Sequence, residues 1–115
     1  MVVITVVEPP EVCDECRGGV TELTLEYLGV SAARVVVFDN EETYFDGDVQ
    51  PGDEFSFSGT KADGKFEKNE LDVTVDGSLN AEIHVSCSQP IGVGSIFGDF
   101  EVVGGTSKDG GDFCP

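Results

Sequence analysis

Tryptophan is absent from this chain of 115 residues, and histidine and methionine occur once each. Basic residues are scarce as well: 6 Lys and Arg stand against 23 Asp and Glu, a formal charge of -17. Nucleic acid is bound through Lys and Arg on its phosphates, so it is not an expected partner. Anionic membrane surfaces are disfavoured for the same reason. No apolar run approaches the ~20 residues of a membrane-spanning helix, and no segment of useful length carries a helical period. The 15 glycines follow no fixed repeat, which excludes a collagen-like chain. Multivalent cations, basic partners or a salty medium remain, the last because salt screens self-repulsion. The simplest role of the acidic residues is to keep a surface soluble.

What the chain does contain is β structure. In residues 70–87, Leu71, Val73 and Val75 alternate with Asp72, Thr74 and Asp76, and Leu79, Ala81, Ile83 and Val85 alternate with polar neighbours. Period-two alternation on both sides of Asp76-Gly77 predicts a hairpin with one buried face. A two-residue Asp-Gly loop would set Val73 against Asn80, apolar against polar. A three-residue loop of Val75, Asp76 and Gly77 sets Val73 against Leu79 and Leu71 against Ala81, and is the preferred register. Leu23, Leu25 and Tyr27 alternate inward with Glu22, Thr24 and Glu26 in residues 20–28. Residues 33–38 and 54–58 read as strands, Asp46-Gly47-Asp48 as an acidic loop, residues 59–69 as the longest loop, and residues 96–103 as one returning strand. A chain of this length has room for one core. Seven to nine short strands predict an all-β, antiparallel β-sandwich, jelly-roll or immunoglobulin-like, with residues 13–115 as one disulfide-stapled domain and residues 1–12 as an N-terminal β arm.

The arm is Val2-Val3-Ile4-Thr5-Val6-Val7, halted by Pro9-Pro10. It reads either as the first strand of the sandwich or as a donor strand. In the second case Val2, Val3, Ile4, Val6 and Val7 complete a neighbour's sheet and build a homo-oligomer or filament. Left exposed, such a run is an aggregation hazard. It is too short, and lacks the basic flank, to be a signal peptide. The chain is therefore either cytosolic or has had a leader removed.

Four cysteines, Cys13, Cys16, Cys87 and Cys114, favour the second view, because an even count in a small loop-rich domain implies disulfides in an oxidising compartment. A zinc ribbon needs a second close pair, and a redox Cys-x-x-Cys needs a helix N-terminus where this chain has a Gly-Gly turn. Three disulfide pairings are possible, of which Cys13–Cys16 with Cys87–Cys114 is preferred because a single strand and a returning tail separate the latter two.

The pattern Asp76-Gly77-x-Leu79-Asn80, Ile83-His84-x-Ser86-Cys87-Ser88-Gln89-Pro90-Ile91 and Gly98-Asp99-Phe100 resembles an uncharacterised domain of secreted bacterial and archaeal surface proteins. Residues 20–25 and Val49-Gln50-Pro51-Gly52 fit the same domain. The resemblance implies an extracellular or cell-surface β module and carries no catalytic residue across.

Acidic turns suit calcium, which takes six to eight oxygens, but none has EF-hand spacing; Asp46 and Asp48 are the chosen metal-ligand pair. His84 is expected on the outer face beside Glu82 and Ser86. Ser86 and Ser88 lie near it without an orienting group, so no catalytic residue is expected. The reading is a structural, self-associating extracellular domain without enzymatic activity, with a calcium- or carbohydrate-binding surface module as the alternative.

Overall fold

The computed structural model describes residues 16–113. The arm residues Val2, Val3, Ile4, Val6 and Val7, together with Cys13 and Cys114, lie outside the described residues. Nine strands and no helix occur among the described residues, and no helix there is long and apolar enough to cross a membrane. The strands are β1 (Val20–Tyr27), β2 (Ala33–Phe38), β3 (Thr43–Val49), β4 (Glu54–Ser58), β5 (Glu70–Val75), β6 (Ser78–His84), β7 (Ile96–Phe97), β8 (Phe100–Ser107) and β9 (Gly111–Asp112).

They form two antiparallel sheets packed face to face. The first has the order β4-β1-β8-β7, with β9 also on β8, and the second has the order β3-β2-β5-β6. The chain crosses between sheets after β1, β3, β4 and β6. The β4-β1 pair and the β3-β2-β5-β6 sheet have immunoglobulin-like adjacencies, with β1, β2, β5 and β6 in the places of strands B, C, F and G, whereas β8, a C-terminal strand, pairs β1 where that fold has its first strand.

Alternation explains the core. Leu23, Leu25 and Tyr27 of β1 and Val35 and Val37 of β2 point inward, as do Leu71 and Val73 of β5, Ala81 and Ile83 of β6, and Phe100 and Val102 of β8. Each large side chain removed from water in this way contributes about 1.5–3 kcal/mol. Aromatic rings fill the β3–β4 side, where Phe45 stacks on Phe55 at 4.3 Å. The long loop adds Phe66, buried against Tyr44 and Phe57.

Three local expectations are corrected. The hairpin register is not the three-residue loop. Asp76 (φ 50) and Gly77 (φ 86) are both left-handed, and Val75 faces Ser78 across a tight two-residue turn, as type I′ geometry requires. A bulge then restores the apolar pairing: Thr74 faces Leu79, Val73 faces Ala81, and Asn80 is the extra residue. Leu79, expected inside, is 59% exposed. Second, Asp46-Gly47-Asp48 is no loop but the centre of β3, paired with Val36, Val35 and Arg34 of β2. Third, residues 96–103 are not one strand. They turn at Gly98 (φ +56) between β7 and β8, and β8 runs on through Gly104 and Gly105 to Ser107.

Candidate functional site

Strand register assembles the densest group of ionisable side chains on the outer face of the second sheet. Asp72 lies opposite Glu82, and Glu70 lies opposite His84. The period of two places Glu70 and Asp72 on one face. Carboxylate oxygens of Glu70, Asp72 and Glu82 consequently lie within 4.8 Å of one another. His84 Nε2 sits 3.2 Å from Glu70 Oε2. A shallow cleft lined by Asp39, Asn40, Lys68 and Asn69 adjoins Glu70 and Asp72. Such oxygen donors suit a hard divalent cation. The trio escaped the sequence reading because it exists only once β5 and β6 are paired; acidic residues at alternate positions of the hairpin were the available signal.

Asp46 and Asp48 project from the exposed face of edge strand β3. Asp46 accepts two hydrogen bonds from Arg34, Nε at 2.9 Å and Nη2 at 2.8 Å. These hydrogen bonds, with the guanidinium charge, hold its carboxyl below the ordinary value. The structure thus joins Asp46 to a cation of its own chain, and the acidic trio lies elsewhere on the sheet. Ser86 and Ser88 hydrogen-bond each other through their hydroxyls at 2.8 Å, while His84 is paired with Glu70.

Asp39 is the most connected carboxylate. Its oxygens accept from the Glu41 and Glu42 amides at 2.8 and 2.9 Å, the Tyr44 hydroxyl at 2.6 Å and the Lys68 amide at 3.3 Å. Burial pushes its pKa up, but these donors outweigh burial and hold it below the ordinary 3.8. Its stabilising contribution is therefore present above that value and is lost as pH falls through the lower folded-state value. Burial first, and donation to Asp39 second, push the Tyr44 phenol up to about 12 from 10.0. A raised pKa stabilises the fold fully below pH 10.0, and the contribution disappears as pH rises towards about 12. Tyr44→Phe should remove this alkaline component. Urea midpoints measured across that window should decline less steeply in the variant, and identical slopes would contradict the network.

Two joints account for the quoted sequence pattern. The bulged Asn80 receives the Asp99 amide on Oδ1 at 2.8 Å and donates Nδ2 to Asp99 Oδ2 at 2.8 Å. A Cβ at Gly98 would stand 2.3 Å from Asn80 Oδ1, so Asp-Gly-x-Leu-Asn and Gly-Asp-Phe are two halves of one clamp. The second joint is the Cys16–Cys87 disulfide, Cα to Cα 5.3 Å across 71 residues of sequence. The Cys13–Cys16 and Cys87–Cys114 pairing is therefore corrected. The Gly18-Gly19 turn carries Cys16 toward the end of β6, and the Gly19 amide donates to Cys87 Sγ at 3.2 Å. Ser88, Gln89, Pro90 and Ile91 line a shallow depression beside this bond.

Together these features define a disulfide-bonded, acidic β-sandwich module. The chain belongs to the family described as a domain of unknown function, DUF7467, which matches residues 15–105. No curated protein and no solved structure matches it.

Proposed function

We propose that the chain is an extracellular structural module of a cell surface or matrix that self-associates by strand addition. The observation that supports this reading is the pairing pattern. Among the described residues, β3, β4 and β6, and the two-residue strands β7 and β9, are bonded to a neighbouring strand on one side only, while the sequence carries one uncharged, β-branched run of strand length, residues 2–7. Adding that run to a neighbour's edge satisfies the edge's N–H and C=O groups. Burying its apolar side chains contributes several kcal/mol at ~25 cal/mol per Å². The disulfide, together with the resemblance to secreted surface domains, supports an oxidising, extracellular setting. Particle mass in solution tests the reading: deleting residues 1–8 should leave a folded monomer where the full chain assembles.

A second reading, a calcium-binding surface module, is favoured by the convergence of Glu70, Asp72 and Glu82. On that reading calcium raises the melting temperature, chelator reverses the rise, and Asp72→Asn abolishes it. An identical calcium response in Asp72→Asn would count against this trio.

A further inference from the structure

Among the described residues β7 and β9 are edges too, but at two residues each they are too short to seat a six-residue run. The three longer edges, β3, β4 and β6, differ in a way that selects one of them. In an antiparallel pair, residues whose backbone groups bond the partner alternate with residues whose groups face away. Tyr27 N–H donates to Asp53 O at 2.9 Å, and Gly59 N–H donates to Thr21 O at 2.9 Å. With the β1–β4 register, this phase turns Phe55 and Phe57 toward β1 and leaves Glu54, Ser56 and Ser58 facing outward. On β2, Asp76 N–H donates to Arg34 O, so Arg34 faces β5. The outward backbone groups of β3 then belong to Asp46 and Asp48. On β6, the Val85 N–H bond to Asn69 O fixes Glu82 and His84 as the outward residues, and the Asn80–Asp99 clamp occupies the strand's other end.

Charged residues on an edge strand discourage strand addition. Edges β3 and β6 carry an ionisable side chain at each of these outward positions. Strand β4 carries Ser56 and Ser58, and only Glu54 at one end is charged. Beside it, half-buried Phe45 stacks on Phe55 at the β3–β4 seam, where the inward side chains of an added strand land.

Resting on the self-association reading, we infer that β4 is the acceptor edge and that residues 2–7 of a second copy are its occupant. The run is uncharged, six residues long, and matches the five residues of β4. The disulfide ties Cys16, where the described chain begins, to Cys87 just beyond β6. Strand β6 ends the second sheet opposite β3, the strand joined to β4 by a short turn. The start of the described chain is thus held beside the end of β6, and on this inference a second copy supplies the run that β4 accepts.

The test compares Ser56→Pro, Asp48→Pro and the deletion of residues 1–8 with the full chain, by sedimentation at moderate salt. Proline removes one outward backbone donor from each edge and leaves the backbone ladder to the adjacent strand in place. Ser56→Pro also gives up the 2.6 Å hydroxyl contact between Ser56 and Thr24 of β1, which Ser56→Ala removes alone and which should by itself leave assembly intact. The expected result is complete loss of assembly in Ser56→Pro and in the deletion, and assembly unchanged in Asp48→Pro. Assembly retained in Ser56→Pro but lost in the deletion places the arm on another edge; this inference then fails and self-association stands. Assembly retained in the deletion overturns both. Where Ser56→Pro does not fold, hydrogen exchange decides. The Ser56 and Ser58 amides should exchange more slowly in the assembled full chain than in the deleted monomer, and equal rates overturn β4 as the acceptor.

Discussion

Replacing Cys16 and Cys87 together by alanine should lower the unfolding free energy by about 4 kcal/mol. The bond spans 71 residues, and in the chain-entropy model a loop of that length removes about that much from the unfolded ensemble. For a domain of this size, about 1 kcal/mol shifts the melting temperature by roughly 4–8 °C, so the double variant should melt roughly 15–30 °C lower. The double substitution is the informative one, because a single substitution leaves a thiol free to exchange. Half-exposed Cys16 and Cys87 join the entry to β1 with the exit from β6, on opposite sheets, so the bond also clamps the sandwich at one end. Non-reducing peptide mapping should recover Cys16 linked to Cys87. Recovery of Cys16 linked to Cys13 instead, or a melting temperature unchanged in the double variant, would contradict the pairing.

Phe100→Ala should cost about 3–5 kcal/mol, the range for deleting a large ring from a closed core. Phe100 is fully buried where β8 lies opposite Tyr27, and its ring meets Tyr27 at 5.6 Å and Phe55 at 6.0 Å. It thus ties three strands of the first sheet through one side chain. Phe97, three residues earlier, is only partly buried at the core's margin, and Phe97→Ala should lose clearly less. Urea denaturation of the two variants ranks them. Equal losses would mean that the Gly98-Asp99 turn does not divide β7 from β8 as described.

These two side chains also mark how far the sequence could be read. Strands with one wet face declare themselves: Leu23, Leu25 and Tyr27 alternate with polar residues, and all three prove buried. Strand β3 hides because Asp and Gly read as turn residues. Its centre is a strand because β2 pairs with it and Arg34, 12 residues upstream, meets Asp46. The hairpin misled for a different reason. Either simple loop forced a choice between tight-turn geometry and apolar pairing, whereas the bulge at Asn80 satisfies both and frees Asn80 for Asp99. The partner of Cys87 was hidden because it depends on how the two sheets are stacked, which no local pattern encodes. Phe66 sits in the most polar loop, yet it is buried against Phe57.

Charge gives the assembly reading its sharpest condition. Glu26 of β1 lies directly opposite Glu54 of β4 on one side and Glu101 of β8 on the other, and like charges so placed are destabilising. The row borders the proposed acceptor edge, on a chain whose formal charge is -17. Repulsion between copies is strongest where the Debye length is ~30 Å, near 0.01 M salt, and falls as it shortens to ~8 Å near 0.15 M. Sedimentation velocity of the full chain and of the chain lacking residues 1–8, across that salt range, measures self-association directly. The full chain should form oligomers or filaments at the higher salt that dissociate in dilute buffer, and the deleted chain should stay monomeric throughout. Stable monomers of both chains at every salt concentration would contradict self-association through residues 2–7.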